Sequence, residues 1–390
     1  MIGNFIYHNP TRLYFGDEAL QGLAGELANY GPKVLLTYGG GSIKRTGIYD
    51  QVADVLKQCG KTIVELPGVM PNPTVEKLRE GAQLARTDQV DLILAVGGGS
   101  TIDYAKGVSV AAYYDGDAWE TFYKQQQDPA PDARILPVGA ILTMVGTGSE
   151  MNGGSVITNH AEGLKIGKVF DARVMPKFTV LNPRFTFSVP RYQMVAGFFD
   201  IMSHLMEQYF SGDDDNTSDY LNEGLMRSLV HSSLQAVKNP EDYEARSNIM
   251  WTATWALNTL LKCAKLQDWM VHMIGQAIGA HTDATHGMTL SAVSLPYYRF
   301  VSQFGPQKFA RWAQSVWGVG GEGKTPEQIA LEGIDALEAW MKQIGVVMRS
   351  SELGVDESNI EAIADSTLIL PTGFHTLTRE EVVDILRQSL

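Results

Sequence analysis

Residues 90–112 read VDLILAVGGGSTIDYAKGVSVAA, and this stretch decides the fold. Apart from Asp91, its first seven residues form an apolar run, which is typical of a strand buried on both faces of a parallel sheet. Three glycines and a serine follow directly, and a helical pattern begins after them. In such a strand–turn–helix unit, glycines let the backbone approach a phosphate while the first N–H groups of the helix point toward it. The stretch predicts a pyrophosphate cradle at Gly97, Gly98, Gly99 and Ser100.

A second interpretation of these glycines stays open. Ile102 stands where the motif G-x-G-x-x-G requires its third glycine, so the ordinary dinucleotide-binding fingerprint is absent. Three successive glycines also suit a tight connection that binds nothing.

The sequence on either side of this stretch repeats the same alternation. Apolar runs at 33–38, 61–69, 135–142 and 178–183 predict further strands, and helical patterns separate several of them. From about residue 191 onward the pattern becomes that of long helices. We therefore predict an α/β domain with a parallel sheet over residues 1–188 and an all-helical domain over 189–390, with the active site in the cleft between them.

Composition and charge exclude several classes of protein. The 390 residues are 44% hydrophobic and 19% charged, which is ordinary for a soluble protein. A net charge of -13 argues against nucleic acid or an anionic membrane as a partner. No apolar run reaches the roughly 20 residues of a membrane span, and no secretion signal is recognisable at the N-terminus. With Cys59 and Cys263 as the only cysteines, we expect a cytoplasmic protein without disulfides.

A second glycine-rich turn, YGGGSIKRTG at 38–47, follows the first predicted strand, where the adenosine ribose of a dinucleotide would lie. Sites that prefer NAD usually place an acidic residue there to bind the ribose 2′-hydroxyl. That strand does not end in one, and Lys44 and Arg45 are near, which favours NADP. Alternatively, both cations belong to a solvated helix face. A third stretch, TMVGTGSEMNGGSVIT at 143–158, has hydroxyls suited to phosphate and nicotinamide, but its composition equally fits a surface loop.

Histidines in the second half suggest a metal site. Asp200 and His204 lie four residues apart, on one face of a predicted helix, although a simple hydrogen bond would also explain the pair. The segment 268–287 places His272 on an apolar helical face, with a helix break expected near Gly279 and His286 in the loop that follows. One carboxylate and three imidazoles suit Fe(II), Zn(II) or a similar divalent ion. Each histidine taken singly is more often a core residue.

Several motifs together resemble those of a known family: PNP at 71–73, GGGSTIDYAK at 97–106, GTGSE at 146–150 and AGFFDIMSHLMEQY at 196–209. They are similar to the iron-containing (group III) alcohol dehydrogenases, in particular the NADPH-dependent butanol dehydrogenase or aldehyde reductase branch, over nearly the whole chain. The resemblance implies a dehydroquinate synthase-like fold of two domains and a homodimer. It also implies hydride transfer between NADP(H) and a primary alcohol or aldehyde, with one divalent metal, Fe2+ before Zn2+.

The resemblance also implies roles for individual residues. The metal ligands would be Asp200, His204, His272 and His286. The cofactor contacts would be Gly97, Gly98, Gly99 and Ser100 at the pyrophosphate, Thr143, Thr147 and Leu181 toward the nicotinamide, Lys165 at a ribose, and Gly39, Gly40, Gly41 and Ser42 near the 2′-phosphate.

Two positions are candidates for a catalytic role. Asp103 matches a family aspartate at the cleft, although a carboxylate in the first turn of a helix is also favoured by the helix dipole alone. Gln276 replaces a histidine that most family members have four residues after the third metal ligand. Glutamine does not titrate, so we expect it to orient substrate rather than transfer a proton. His281, expected in the loop, is a possible substitute for the missing histidine.

Other activities remain open, because fold does not fix reaction. The same fold serves polyol dehydrogenases and a synthase that uses NAD transiently. A non-catalytic homologue that keeps the nucleotide pocket is a further alternative.

Overall fold

The computed structural model describes residues 3–390. By its internal contacts the chain divides into two compact units. One unit spans His8–Val189, and the other comprises Pro190–Leu390 together with the described residues before His8.

The first unit is built from strands and helices. Its strands are β1 (Arg12–Phe15), β2 (Lys33–Tyr38), β3 (Thr62–Leu66), β4 (Leu92–Gly97), β5 (Val138–Leu142), β6 (Gly154–Asn159), β7 (Leu164–Val169) and β8 (Phe178–Leu181). Its α-helices are α1 (Gly22–Leu27), α2 (Ser42–Arg45), α3 (Ile48–Gln58), α4 (Val75–Thr87) and α5 (Gly99–Ala111).

Six of these strands form one parallel sheet in the order β1-β8-β5-β4-β2-β3. The inner strands β8, β5 and β4 are buried along their whole length, which explains their continuous apolar sequences. All six strands run in the same direction, so their carboxyl ends lie along one edge of the sheet. After β2 the chain adds β3 on one side of that strand and then crosses over to add β4 on its other side. The junction between β2 and β4 is therefore the topological switch point, which is where ligands of such sheets bind.

The structure confirms the predicted strands β2, β3, β4, β5 and β8, but the sequence did not predict β1, β6 or β7. Strand β1 has only four residues and lies at the sheet edge, where Arg12 and Phe15 are exposed, so it lacks an apolar run. Strands β6 and β7 form a separate antiparallel hairpin. The hairpin includes the end of the 143–158 stretch, which is therefore only partly a loop.

The second unit is helical, as predicted, and no strand occurs among its described residues. Its helices are α6 (Arg191–Tyr209), α7 (Thr217–Lys238), α8 (Tyr243–Ala256), α9 (Met270–Thr282), α10 (His286–Val301), α11 (Pro306–Trp317), α12 (Pro326–Ile344), α13 (Ile360–Ser366) and α14 (Arg379–Gln388). Within residues 3–390, no helix is long and apolar enough to cross a membrane.

The expected helix break near Gly279 is wrong. Helix α9 continues through Gly279 to Thr282 and ends at Asp283, which adopts a left-handed conformation with φ 54° and donates its N–H to the Gly279 carbonyl. Aspartate tolerates this conformation better than most residues, so it ends the helix where the glycine does not. His281 consequently lies in the last turn of α9, and His286 is the first residue of α10 rather than part of a loop.

Candidate metal centre and cofactor site

A close approach of two helices creates one side of the candidate metal centre. A Cβ atom at Gly287, near the start of α10, would lie 2.1 Å from the carbonyl oxygen of Ala196 on α6. Only glycine fits there without displacing backbone. Ala196 precedes Asp200 by one helical turn, so this contact brings His286 beside the carboxylate of Asp200.

The four predicted metal ligands meet at one point. The Nε2 atoms of His204, His272 and His286 lie 3.4, 3.7 and 3.8 Å from Oδ1 of Asp200. Ligand atoms about 2.1 Å from a tetrahedrally coordinated ion would be roughly 3.4 Å apart, so these separations suit a shared divalent ion. Asp200, His204 and His272 are buried, and each offers a ligand atom within 4.8 Å of the other two.

The chemistry of these atoms also fits a metal. Oδ1 of Asp200 and Nε2 of His272 are buried and lack a hydrogen-bond partner, which is costly unless an ion binds them. Burial acts to raise the pKa of Asp200, but the neighbouring histidines outweigh it and the pKa falls below its usual range. The carboxylate therefore stays ionised in a setting where an isolated charge would be unfavourable.

The candidate cofactor residues line up along the carboxyl edge of the sheet. Leu181 ends β8, Thr143 follows β5, the 97–100 cradle joins β4 to α5, and the 39–42 turn follows β2. Because β8, β5, β4 and β2 are successive neighbours, these four sites form a row about 14 Å long at a strand spacing of ~4.8 Å. The row follows the predicted order from nicotinamide through pyrophosphate to adenosine ribose.

Glycine in the cradle permits a further contact. A Cβ at Gly99 would lie 2.3 Å from Oγ1 of Thr147, so any larger residue would push the threonine away from the start of α5. This packing brings the GTGSE segment against the cradle, although 46 to 53 positions separate their residues in sequence. Ser100, in the first turn of α5, is partly exposed at the same place.

Comparison with known proteins identifies a family for both halves of the chain. Residues 10–183 match the family described as iron-containing alcohol dehydrogenase, and residues 194–390 match the C-terminal part of the Fe-containing alcohol dehydrogenase family. The chain belongs to the iron-containing alcohol dehydrogenase family.

Individual relatives span the whole chain. It is 40% identical to the "Probable NADH-dependent butanol dehydrogenase 1" of Bacillus subtilis, with 99% of this chain and 100% of the relative covered. It is 37% identical to the "NADPH-dependent aldehyde reductase YqhD" of Escherichia coli, with 93% and 92% covered. The crystal structure of NADH-dependent butanol dehydrogenase A from Thermotoga maritima is similar with a TM-score of 0.93 and 36% identity, covering 100% of this chain and 99% of that one.

In this iron-containing alcohol dehydrogenase, a residue that the sequence analysis missed holds His272 in place. Glu207 lies on α6, is fully buried, and accepts hydrogen bonds from the backbone N–H of His272 at 3.0 Å and from its ring Nδ1. Ser203 donates a third hydrogen bond to the same carboxylate at 2.8 Å. With Nδ1 carrying the proton, Nε2 is the atom left for a metal. The sequence signal that could have identified Glu207 is its position on α6, on the same polar side as the predicted ligands of that helix.

Trp269 was also missed. Its ring stands edge-on to those of His204 and His272, with centroids 6.0 and 5.2 Å away. Its backbone is left-handed, with φ 67°, which is unusual for a bulky side chain and is tolerated mainly where surrounding packing imposes it. Trp269 immediately precedes α9, so this conformation sets the direction in which the helix that carries His272 begins.

The carboxylate of Asp103 is part of a buried network of hydrogen bonds and is not free. It accepts hydrogen bonds from the Ser149 hydroxyl and from the backbone N–H of Val156, at 3.0 Å for the latter, and Lys106 lies 3.6 Å away. Lys106 in turn donates to the carbonyls of Ser149 and Asn152. Burial raises the pKa of Asp103, and it lowers that of Lys106 to about 8. The pair fastens α5 to the 149–156 segment, and a catalytic role for Asp103 stays a prediction.

The remaining predicted residues are placed as follows. Lys165 on β7 donates a hydrogen bond to the Asn72 side chain in the PNP turn, at 2.7 Å. Gln276 is buried on α9, one turn after His272. His281 lies in the last turn of α9, so the expectation that it occupies a loop is wrong; it is exposed and its Nε2 lies 3.0 Å from Ser366 Oγ. The cofactor contacts and the site in the cleft between the domains stay predictions.

Proposed function

We propose that this protein transfers hydride between NADP(H) and a primary alcohol or aldehyde, as a metal-dependent butanol dehydrogenase or aldehyde reductase. The observation that carries the proposal is the convergence of three imidazole Nε2 atoms on Oδ1 of Asp200, in a chain that belongs to the iron-containing alcohol dehydrogenases. Its relatives named butanol dehydrogenase and aldehyde reductase support the substrate class.

Asp200, His204, His272 and His286 would hold one divalent ion, with Fe2+ preferred over Zn2+ on family grounds. An ion held by these residues would supply Lewis-acid polarisation of the substrate oxygen. Buried Glu207 orients His272, and Trp269 packs against two of the ligand rings. Gln276, close to the ligands in sequence, supplies an amide that can hydrogen-bond a substrate oxygen but does not titrate and so cannot transfer a proton.

The chain's own residues bind and orient the reactants. The cradle at 97–100 would hold the pyrophosphate through backbone N–H groups, and Thr143 and Thr147 would place the nicotinamide. Hydride transfer requires the two reacting carbons in near-attack contact, so fixed positioning accounts for much of the expected rate enhancement.

We also propose a preference for NADP(H), a cytoplasmic location and a homodimer. The cofactor preference rests on the glycine-rich turn at 39–42, which has no acidic side chain of its own and leaves room for a 2′-phosphate. The relatives divide on this point, since the Bacillus subtilis protein is named as NADH-dependent and the Escherichia coli protein as NADPH-dependent.

Steady-state kinetics test the proposal directly. We expect the protein loaded with Fe2+ or Zn2+ to reduce butanal, with a higher kcat/KM for NADPH than for NADH. Gly39→Asp should shift that ratio toward NADH, because a carboxylate binds the 2′-hydroxyl and repels a phosphate. Equal or higher efficiency with NADH would contradict the cofactor preference. Activity on glycerol or 1,3-propanediol without activity on butanal would favour the polyol dehydrogenase alternative, and no turnover of either would favour a non-catalytic homologue.

A further inference from the structure

A carboxylate from the neighbouring strand occupies the region of the adenosine turn. Glu65 lies on β3 and pairs in register with Leu36 of β2. Its Oε2 atom is 2.6 Å from the hydroxyl of Tyr38, the last residue of β2, and 3.2 Å from Nζ of Lys44. This carboxylate comes from β3, so the sequence around the end of β2 gives no sign of it.

Lys44 is held by more than one interaction. Its ammonium lies over the rings of Tyr38 and Tyr49, at 5.1 and 4.3 Å from their centroids, in addition to the ion pair with Glu65. Both tyrosine hydroxyls donate hydrogen bonds to the Glu65 carboxylate. We refer to these four residues, Tyr38, Lys44, Tyr49 and Glu65, as the Glu65 cluster.

Glu65 is fixed in its ionised form. The hydrogen bonds from Tyr38 and then Tyr49 hold the pKa of its carboxyl below the usual value, despite partial burial. A permanent negative charge therefore neutralises Lys44. The alternative interpretation, that Lys44 is merely part of a solvated helix face, does not account for two aromatic rings and a carboxylate arranged around one ammonium.

The cluster is adjacent in sequence and structure to the turn predicted to meet the adenosine ribose. Lys44 lies on α2, two residues after Ser42, and its backbone N–H bonds to the carbonyl of Gly41. NADP(H) differs from NAD(H) by one phosphate at this ribose, so a cation released here would favour NADP(H) alone. Nearly half of each side chain of the ion pair is exposed, so solvent and salt weaken the pair and leave Lys44 able to exchange partners.

We propose that Glu65 is a specificity-determining residue for the cofactor: by holding Lys44 and cancelling its charge, it limits the preference for NADP(H) and keeps NAD(H) acceptable. This inference rests on the proposed function, because it requires that the protein bind a nicotinamide dinucleotide at the carboxyl edge of the sheet. Glu65 acts through Lys44 and is in this sense a positioning residue.

Direct binding measurements test the inference without reliance on turnover. Kd values for NADPH and NADH, from fluorescence titration of the metal-loaded protein, would be compared for wild type, Glu65→Gln, Lys44→Met and the double variant. We expect Glu65→Gln to raise the ratio Kd(NADH)/Kd(NADPH) by about three- to tenfold, and Lys44→Met to lower it by a similar factor, as for a partly exposed charge-assisted contact. In the Lys44→Met background, Glu65→Gln should change the ratio less than twofold.

Matched controls separate a local effect from general charge and from loss of structure. Lys57→Met removes an exposed lysine from the far end of α3 and should leave the ratio unchanged. Lys44→Arg keeps the cation and should restore most of the NADPH affinity lost in Lys44→Met. High salt should reduce the effect of Glu65→Gln on NADPH and leave NADH binding nearly unaffected.

The outcomes distinguish this inference from the function on which it rests. If wild type binds neither cofactor, both the proposed function and the inference are overturned. Suppose that both cofactors bind but Glu65→Gln leaves the ratio Kd(NADH)/Kd(NADPH) unchanged. Then only the inference is overturned, and the same holds if Glu65→Gln shifts this ratio as much in the Lys44→Met background as in wild type. Should Glu65→Gln fail to fold, an unchanged ratio in Lys44→Met overturns the inference by itself.

Discussion

Glu207 shows how much of the candidate metal centre depends on a residue that is not itself a predicted ligand. Its two carboxylate oxygens accept from the backbone and ring of His272 and from Ser203. Carboxylates that orient a ligand histidine fix its tautomer and increase its basicity, and their loss typically costs 10–100-fold in metal affinity. The charges of Glu207 and Asp200 outweigh burial and raise the pKa of His272 to about 9, so metal binding must release a proton.

We therefore predict that Glu207→Gln weakens metal binding by about 10- to 100-fold. The amide replaces one acceptor oxygen by a donor, which would face an N–H or O–H group that is already donating. Competition with a chromogenic chelator would measure the affinity. Glu244→Gln, on the exposed side of α8, is the matched control and should bind metal like wild type. Unchanged affinity in Glu207→Gln would show that His272 is oriented by packing alone.

Gln276 provides a second prediction at the residue scale. If it orients substrate by hydrogen bonding, Gln276→His should change kcat by less than tenfold. General acid–base catalysis typically contributes about 10²- to 10⁴-fold, so a larger rise would be expected if the usual histidine transfers the alcohol proton. The pH dependence of kcat distinguishes the two roles further. A tenfold or greater increase, with a new ionisation in the profile, would contradict the orienting role.

At the scale of elements, α5 organises the α/β unit because it is buried on almost every side. The helix contributes the glycine cradle at its start and the Asp103–Lys106 pair one turn later. That pair binds the 149–156 segment through a hydroxyl, an N–H and two carbonyls. The same helix therefore positions both the predicted pyrophosphate contact and the segment that carries Thr147.

Asp103→Asn should lower the free energy of unfolding by about 3 kcal/mol, because it leaves the buried ammonium of Lys106 without its carboxylate. We also expect a higher KM for the cofactor, since the segment bearing Thr147 would loosen. Urea denaturation and steady-state kinetics measure the two effects. Asp54→Asn, at an exposed position of α3, should change stability by no more than about 0.5 kcal/mol. A loss of kcat with unchanged stability would instead favour a directly catalytic Asp103.

At the scale of the whole molecule, the predicted metal ligands come from three helices of the helical unit, so a bound ion should stabilise that unit. A ligand at 100 times its Kd adds about 2.7 kcal/mol to the native state. Six of the seven tryptophans lie in this unit, which makes their fluorescence a suitable reporter.

We predict that removing the metal with a chelator lowers the tryptophan-monitored Tm, and that adding Fe2+ or Zn2+ restores it. His272→Ala should abolish this response together with metal stoichiometry. His231→Ala, exposed on α7, should retain both. A full metal complement in His272→Ala would refute the assignment of the site.

The sequence by itself determined those features that depend on neighbouring residues. Mainly apolar runs identified five strands of the parallel sheet, and the signal is strongest in β8, β5 and β4, because a strand covered on both faces needs apolar side chains at every position. The four-residue spacing of Asp200 and His204 put them on one helix face for the same local reason. The pattern of segment 268–287 added His272 and His286 as candidates, the family resemblance assigned them as ligands, and the structure shows their convergence on Asp200. Short edge strands such as β1 escaped detection because half-exposed strands carry little apolar signal.

Only the tertiary structure decided which distant residues meet. Glu207 and His272 are 65 residues apart, and nothing in either local sequence indicates the other. Glu65 reaches Lys44 because β3 pairs with β2, so a carboxylate lies beside the adenosine turn although β2 itself does not end in one. Helix α9 passes Gly279 because tertiary packing outweighs the weak helix propensity of glycine. Local sequence patterns indicate which faces of a helix or strand are buried, whereas packing between distant segments determines which residues contact one another.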